Sequence, residues 1–350
     1  MSLQATDRAE DAALGNGSFG YVFAVRHKDK QNYALKVIDM KKLRVERGMS
    51  DNSKMMQEVF TLAELQHAPY IARYDDFKEV NGVLHAAASG DPKDWLVIKL
   101  ELCTGGTLQS VLDNCRAQGR GLPTADVRKY FAQLVEAFNF MAEKKIVHRD
   151  MKLDNVCLSA PGGDCRVVDL GFARKLGGEG PSIDAHQSDT LCKPRGNKRY
   201  RSPENDGKRS IDHKDDMWAL GLMLCEMLTG TTVNDLLDGD YARVWPNYSK
   251  QMAGWIKNAK VRDENLGRIA SRLLHPEPPA DRFSAEEAAR ELRNHRFVSD
   301  EPPPFLPVGW LDQLHLADEI PATLAEALKV GLARNNLSTP LHAPLHADSI

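Results

Sequence analysis

The sequence lacks paired cysteines, long hydrophobic runs and a strong excess of either charge, and each absence excludes a class of protein. Its six cysteines include no CxxC pair, which argues against a zinc site or a disulfide framework and favours a reducing, intracellular compartment. The most apolar stretch, Met217 to Leu228, is short and contains Glu226, so we expect a buried helix there and no membrane span. The N-terminal residues include acids and no apolar core, so we expect no secretory signal there.

The net charge of −3 excludes a globally basic nucleic-acid binder but is compatible with local basic patches. With 350 residues, of which 42% are hydrophobic, the chain is long enough for a sizeable core in two lobes or one large domain. Partners must therefore be inferred from candidate sites.

The first part of the chain has the apolar patterns of a small sheet. Between residues 21 and 102, the runs YVFAV, YALKVI and WLVIKLEL predict strands. Residues 54–65 have helical periodicity, which predicts one helix between these strands.

The second part of the chain is predominantly helical in pattern. We predict a helix capped by Thr124, a central buried helix from Asp216 to Leu228, and a surface helix from Ala285 to Asn294. Three consecutive prolines then begin a tail, residues 301–350, that could hold one amphipathic helix.

A cluster of reactive side chains lies within residues 148–155 and continues at residues 169–171. Asp150 is a candidate base and Lys152 a phosphate-binding cation, while Asn155 and Asp169 offer the hard oxygen ligands that Mg²⁺ prefers. The run resembles the HRDxKxxN and DFG motifs of eukaryotic-type protein kinases. The resemblance implies an α+β, bilobal fold, with a small antiparallel sheet lobe containing one helix and a larger, mainly helical lobe. It also implies transfer of the γ-phosphate of ATP, with Mg²⁺, to a protein hydroxyl.

A glycine-rich motif near the N-terminus fits the same family. The pattern GxGxxGxV is followed by strand residues, whereas a dinucleotide-binding fold requires a helix to begin there. The resemblance implies that its backbone N–H groups cover the nucleotide phosphates, and a plain hairpin turn is the alternative. The motif consists of Gly15, Asn16, Gly17, Ser18, Phe19, Gly20 and Val22, together with Tyr21.

Lys36 lies inside an apolar strand pattern, where a buried lysine requires a nearby anion. Glu58 lies on the predicted helix in a pattern similar to the αC helix of the family. The resemblance implies that Lys36 contacts the α- and β-phosphates and that Glu58 holds it. The alternative is a surface lysine whose aliphatic stem packs on the sheet.

By the same resemblance, a second set of residues surrounds the adenine. Val22 and Ala34 form its roof, Leu100 is the gatekeeper, and Glu101 to Cys103 form the hinge. Cys157 aligns with the floor of the pocket, and an inert buried cysteine is the alternative.

Residues 196–204 resemble the GTxxYxxPE segment of the family, with Ser-Pro-Glu in place of Ala-Pro-Glu. Asn197 stands where a threonine commonly contacts the catalytic aspartate and lysine, so its longer amide side chain is expected to alter the acceptor pocket. We predict that Glu204 pairs with Arg282 and that Asp216 anchors the backbone of the catalytic loop. His148 is expected to pack against Leu170.

Lys152 is typical of the serine/threonine branch, and a dual-specificity kinase and a catalytically silent pseudokinase scaffold are the alternatives. Arg149 implies a phosphate on the activation segment, for which we predict Ser188 or Thr190, modified by an upstream kinase or by autophosphorylation. Exposed polar residues without this role are the alternative.

A basic cluster could select acidic or phosphorylated substrates, bind the enzyme's own phosphorylated loop, or simply be a solvated face. It contains Lys193, Arg195, Lys198, Arg199 and Arg201.

The resemblance extends from about Gly15 to Phe297 and does not assign a subfamily. It predicts an N-terminal extension at 1–14, a small lobe at 15–103, a large lobe at 104–300 and the tail at 301–350. The expected partner is a protein substrate with a serine or threonine acceptor. Nucleic acid is not expected as a partner, and the cytoplasm is the expected location, with the nucleus as the alternative.

Overall fold

The computed structural model describes residues 13–17, 20–25, 32–40, 57–80, 95–176, 196–204, 212–236, 241–275 and 279–295. Their contacts form two compact units. The described residues up to 40 and those from 74 to 102 belong to the smaller unit. The larger unit contains residues 57–73 and the described residues from 103 to 295. The combination of an antiparallel sheet and helices agrees with the predicted α+β class.

The smaller unit is built on a five-stranded antiparallel sheet of order β1-β2-β3-β5-β4. Two of its three inner strands, β3 and β5, are nearly continuous apolar runs, and Val37, Val97 and Ile98 are fully buried. Such runs are expected where a strand is covered on both faces. The strands are β1 Ala13–Gly17, β2 Gly20–Val25, β3 Tyr33–Asp39, β4 Tyr74–Val80 and β5 Trp95–Glu101.

Two local features shape this sheet. A side chain on Gly20 would place its Cβ 1.8 Å from the carbonyl oxygen of Val37, so only glycine permits the close approach of β2 to β3. Lys99 is almost fully buried in β5, where it forms an ion pair with Asp75 at 2.5 Å and lies 4.8 Å from the ring centroid of Tyr33. The buried charge is therefore compensated by both a carboxylate and an aromatic face.

The larger unit is mainly helical and is organised around a buried central helix, α4. Asp212 caps this helix in a capping box with Asp215, and Gly230 ends it in the left-handed conformation. Residues 217–228 are buried, so the predicted central helix is confirmed. The helices are α1 Gln57–Glu64, α2 Leu108–Arg116, α3 Thr124–Glu143, α4 His213–Thr229, α5 Val233–Leu236, α6 Tyr241–Arg262, α7 Glu264–Leu273 and α8 Ala285–Asn294.

The predicted cap of α3 is wrong. Thr124 is the first helical residue, and the preceding Pro123 occupies the cap position without a side-chain hydrogen bond. Pro123 has a fixed φ of −55° that is compatible with entry into a helix, so the helix begins without a polar cap. By contrast, α8 has the predicted bounds and a capping box of Ser284 and Glu287.

Helix α1 was expected in the sheet lobe, but its contacts group it with the larger unit. The segment that follows it pairs with Val167: the N–H of Ala72 donates to Val167 O at 2.9 Å, and the N–H of Val167 donates to Tyr70 O at 2.8 Å. Glu64 also forms an ion pair with Lys175 at 2.6 Å. Main-chain pairing therefore attaches the end of α1 to the larger unit.

Short strands and 3₁₀ turns connect the helices and carry the predicted catalytic residues. The strands form two antiparallel pairs, β6 with β9 and β7 with β8. They are β6 Ile146–Val147, β7 Val156–Leu158, β8 Cys165–Val167 and β9 Arg174–Lys175, and the 3₁₀ turns are Leu153–Asn155, Leu170–Phe172, Lys198–Tyr200 and Pro279–Asp281. Across the described residues, none of the helices is both long enough and apolar enough to cross a membrane.

Candidate active site

The predicted catalytic loop, residues 148–155, is hydrogen-bonded to one buried carboxylate of helix α4. The backbone N–H of His148 donates to Asp216 Oδ2 at 2.7 Å, and that of Arg149 donates to Asp216 Oδ1 at 2.9 Å. Burial raises the pKa of Asp216, while the two N–H groups and His148 act in the opposite direction. Asp216 thus occupies the anchoring position predicted for it.

Asp150 lies at the centre of this loop and is largely buried. Its Oδ1 accepts the backbone N–H of Asn197 at 2.7 Å, and its Oδ2 accepts Nδ2 of Asn155 at 3.1 Å. Desolvation raises the pKa of Asp150, and the negative charge of Asp169 adds to this, whereas Lys152 lowers it. Two directed hydrogen bonds therefore hold the carboxylate in one orientation next to a cationic side chain.

Asn155 and Asp169, the two predicted metal ligands, have suitable donor atoms for a hard cation. The Nδ2 atom of Asn155 donates to both the main-chain oxygen of Asp150 at 2.6 Å and its carboxylate, so the amide is oriented with Oδ1 as its acceptor. The Asp169 carboxylate is exposed. Within the described part of the chain, no group of three or more histidine, cysteine or acidic side chains could hold a metal alone. Two protein oxygen donors fit a Mg²⁺ ion whose remaining ligands are nucleotide oxygens and water.

The backbone is strained at two predicted functional residues. Arg149 and Asp169 have positive φ angles of 71° and 62°, a conformation that costs a non-glycine residue about 1–3 kcal/mol. The Asp216 bond to the N–H of Arg149 helps to maintain the first of these. Strain of this kind persists only where the surrounding structure imposes it, and it concentrates at functional sites.

The acceptor-side segment, defined as residues 196–204, packs closely against the catalytic loop. Gly196 has a φ of +73°, and a Cβ there would lie 2.3 Å from the main-chain oxygen of Arg149. Asn197 reaches Asp150 through its backbone, while its side chain accepts the N–H of Arg199 at 3.0 Å and caps a 3₁₀ turn. The side chain of Asn197 therefore caps the local turn. Its contact with Asp150 is made by the backbone N–H and not by the side chain, as a threonine-type contact would be.

The end of this segment is held by the predicted pair of Glu204 and Arg282. Arg282 is fully buried, and its Nη1 and Nη2 contact the two carboxylate oxygens of Glu204 at 2.5 and 3.0 Å. The guanidinium also donates to the main-chain oxygens of His275 and Lys214 and lies 5.0 Å from the ring of Trp218. This bidentate, multiply bonded arrangement suits the planar fork of arginine.

Two further contacts of the acceptor-side segment were not predicted. The hydroxyl of Tyr200 lies 2.9 Å from both carboxylate oxygens of Glu226, which is fully buried in α4. Burial raises the pKa of Glu226 to about 8. The hydroxyl of Ser202 donates to Asp215 Oδ1. Sequence offered one signal for these contacts, namely acidic residues within an otherwise apolar helix, which require polar partners.

Four predicted nucleotide-binding residues share one face of the sheet in the smaller unit. In the antiparallel register, Lys36 lies directly opposite Val22, and Ala34 lies opposite Leu100. Residues two apart on a strand and directly opposite on neighbouring strands project to the same face. Glu101 ends β5 opposite Tyr33. The pairing of Lys36 with Glu58 stays a prediction, because these residues belong to different units.

The predicted hinge and floor cysteines both belong to the larger unit and are half-buried thiols. The Cys103 side chain hydrogen-bonds to Cys157 and lowers the pKa of the Cys157 thiol, against the effect of burial. The segment after Cys103 pairs with β7, since the N–H of Gly105 donates to Leu158 O at 3.0 Å. The nucleotide-binding roles of both cysteines stay predictions.

Several predicted residues cannot be placed. Ser18, Phe19, Ser188, Thr190, Lys193 and Arg195 lie outside the described residues, as does the side chain of Asn16. Within the described part of the basic cluster, Arg201 donates to Gly196 O at 2.9 Å and Arg199 donates to Asn234. His148 contacts Val168 O and the ring of Phe138, and its packing against Leu170 stays a prediction.

Comparisons with known proteins agree with this geometry. A family model described as protein kinase domain matches residues 9–298. Serine/threonine-protein kinase Nek4 of Mus musculus is 30% identical over 275 residues, which cover 75% of this chain and 31% of that protein. Serine/threonine-protein kinase ATG1c of Arabidopsis thaliana is 31% identical over 223 residues, or 63% of this chain and 26% of the relative. Serine/threonine-protein kinase ULK1 of Homo sapiens is 30% identical over 227 residues, or 62% and 19%. The chain thus spans less than a third of the length of each of these relatives.

Proposed function

Because the chain belongs to the protein kinase domain family, we propose that it transfers the γ-phosphate of ATP to serine or threonine hydroxyls of protein substrates. The observation that carries this proposal is the environment of Asp150. Its carboxylate is oriented by Asn155 and by the backbone of Asn197, directly between the catalytic loop and the acceptor-side segment.

The proposed chemistry depends mainly on positioning and charge. Asp150 orients the acceptor hydroxyl and accepts its proton, while Lys152 offsets negative charge on the transferred group. Asn155 and Asp169 would hold Mg²⁺, which when bound neutralises charge on the nucleotide phosphates. Lys36 contacts these phosphates, with Glu58 as its proposed partner. Phosphorylation at Ser188 or Thr190 is the proposed regulation, acting through Arg149.

The serine/threonine preference is supported by Lys152 and by the names of the relatives. A dual-specificity kinase is the closest alternative, and it differs only in accepting tyrosine. A pseudokinase scaffold is the other alternative, and the presence of Lys36, Asp150, Asn155 and Asp169 together argues against it.

The test is phosphate transfer from ATP and Mg²⁺ to degenerate peptides that contain serine, threonine or tyrosine. Asp150→Asn and Lys36→Met should each lower turnover on the order of a hundredfold or more, because each removes a charge that acts in the transition state. Asp126→Asn and Lys144→Met, on α3 and just after its end, serve as matched controls and should retain activity. Nucleotide binding without any transfer would identify a pseudokinase, and equal turnover in all variants would contradict the mechanism.

A further inference from the structure

The serine of the Ser-Pro-Glu sequence makes a specific buried contact. Ser202 is 2% exposed, and its hydroxyl donates to Asp215 Oδ1. The other oxygen of this carboxylate, Oδ2, accepts the backbone N–H of Asp212 at 3.0 Å in the capping box of α4. Both oxygens of Asp215 therefore act as acceptors, as an ionised carboxylate requires.

Asp215 is adjacent in sequence to Asp216, which holds the catalytic loop. The first turn of α4 thus contacts two functional segments: Asp216 accepts from His148 and Arg149, and Asp215 accepts from Ser202. The two segments and this turn also line a small cavity of about 20 Å³ that is partly open to solvent. Its lining includes Arg149, Asp150, Tyr200, Arg201, Ser202, Asp215 and Asp216.

We propose that Ser202 and Asp215 form a pH-sensitive tether that positions the acceptor-side segment against the catalytic loop. The proposal rests on the proposed function, since it assigns these two residues to positioning of the peptide acceptor. Neither residue touches the reacting atoms, so both are positioning residues.

The charge state of Asp215 changes near neutral pH. Burial, together with the charges of Glu204 and Asp216, raises its pKa to about 7, against the hydrogen bonds from Ser202 and Asp212, which lower it. Protonation converts one carboxylate oxygen from an acceptor into a donor. The Ser202 hydroxyl can then accept a hydrogen bond from the protonated carboxyl, but the bond is no longer assisted by a charge, so the tether weakens as the pH falls through about 7.

Other charged groups face this position, and their effects on the pH response must be distinguished from that of Asp215. Glu204 is neutralised by Arg282, and Lys214 lies 3.8 Å from Glu287 on α8. His148 and His213 act on Asp216, and Arg149, Arg201 and Asp150 line the cavity. Because several charged groups surround the same turn, the decisive comparison is between the native chain and Asp215→Asn over the same pH range.

The first experiment measures KM for a serine/threonine peptide and for ATP between pH 6 and pH 8. In the native chain, the peptide KM should rise up to about tenfold as the pH falls, because a charge-assisted hydrogen bond becomes a neutral one of roughly half the strength. Asp215→Asn should remove most of this rise, and Ser202→Ala, which lacks the bond altogether, should have a peptide KM at pH 8 at least as high as that of the native chain at pH 6. The ATP KM should not change with either variant.

Matched controls separate the tether from general loss of stability. Ser271→Ala is a serine replacement on α7, and Glu287→Gln removes the capping-box acid of α8. Both should keep the pH response of the native chain. Native-like pH responses in Asp215→Asn and Ser202→Ala, in a chain that transfers phosphate, would overturn the tether and leave the proposed function intact.

A second experiment does not depend on catalysis. Hydrogen–deuterium exchange of residues 196–204, corrected for the intrinsic effect of pH, should be faster at pH 6 than at pH 8 in the native chain. Ser202→Ala should show the fast exchange at both values. Equal protection in the native chain and Ser202→Ala would overturn the proposal even if no phosphate transfer were detected.

Discussion

In the smaller unit, Val22, Ala34, Lys36 and Leu100 share a face because the antiparallel register aligns them. In the larger unit, by contrast, the predicted catalytic residues are placed by side chains from distant parts of the chain. Asp216 holds the backbone of the catalytic loop from 67 and 68 positions away, and Arg282 holds Glu204 from 78 positions away. The sheet positions residues through main-chain pairing, whereas the helical unit does so through buried polar side chains.

Removal of Arg282 is expected to have the largest effect on stability. Arg282→Met leaves the carboxylate of Glu204 and the main-chain oxygens of His275 and Lys214 without the guanidinium. Loss of one partner of a buried pair costs about 3–5 kcal/mol, to be measured by chemical denaturation. Arg268→Met is the control, since it removes only an exposed pair with Glu264 and should cost less than about 0.5 kcal/mol. Similar losses in both would show that burial does not distinguish these ion pairs.

The buried ion pair of Asp75 and Lys99 in the smaller unit provides a second test of the comparison. Asp75→Ala leaves Lys99 buried without its carboxylate, which should cost about 3 kcal/mol. The double replacement Asp75→Ala/Lys99→Met should recover most of this loss, because the methionine side chain can occupy the apolar site without a charge. Denaturation of the single and double variants checks both values. A double variant as unstable as Asp75→Ala would mean that the pair contributes more than charge compensation.

The smallest expected effect is the pH dependence due to Glu226. Its pKa is raised to about 8 in the folded chain, above the ordinary value of 4.5. At a pH between these two values, the folded chain therefore keeps a proton that the unfolded chain releases. Stability from this group is therefore complete below pH 4.5 and is lost as the pH rises through about 8. Between pH 6 and 8 the native chain should lose about 2 kcal/mol relative to Glu226→Gln. Parallel pH profiles of unfolding free energy for the two proteins would contradict the raised pKa.

Local pattern was sufficient for much of the fold. The strand-like runs became β2, β3 and β5, and the surface helix has the predicted bounds Ala285–Asn294. The cap of α3 was mispredicted because Thr124 has the residue type of a cap, while Pro123 is equally compatible with a helix start. The unpredicted contacts of Ser202 with Asp215 and of Tyr200 with Glu226 join residues that no periodicity relates.

The sequence by itself determined the family, which the family match confirms. It also determined which residues are proposed to take part in phosphate transfer. Motif spacing is sufficient for this, because the proposed reaction needs a particular ordered set of side chains. Only the tertiary structure decided how these residues are held: that Asn197 reaches Asp150 through its backbone, and that Ser202 contacts Asp215. Such contacts depend on the close approach of segments far apart in sequence, and a local pattern contains no information on that distance.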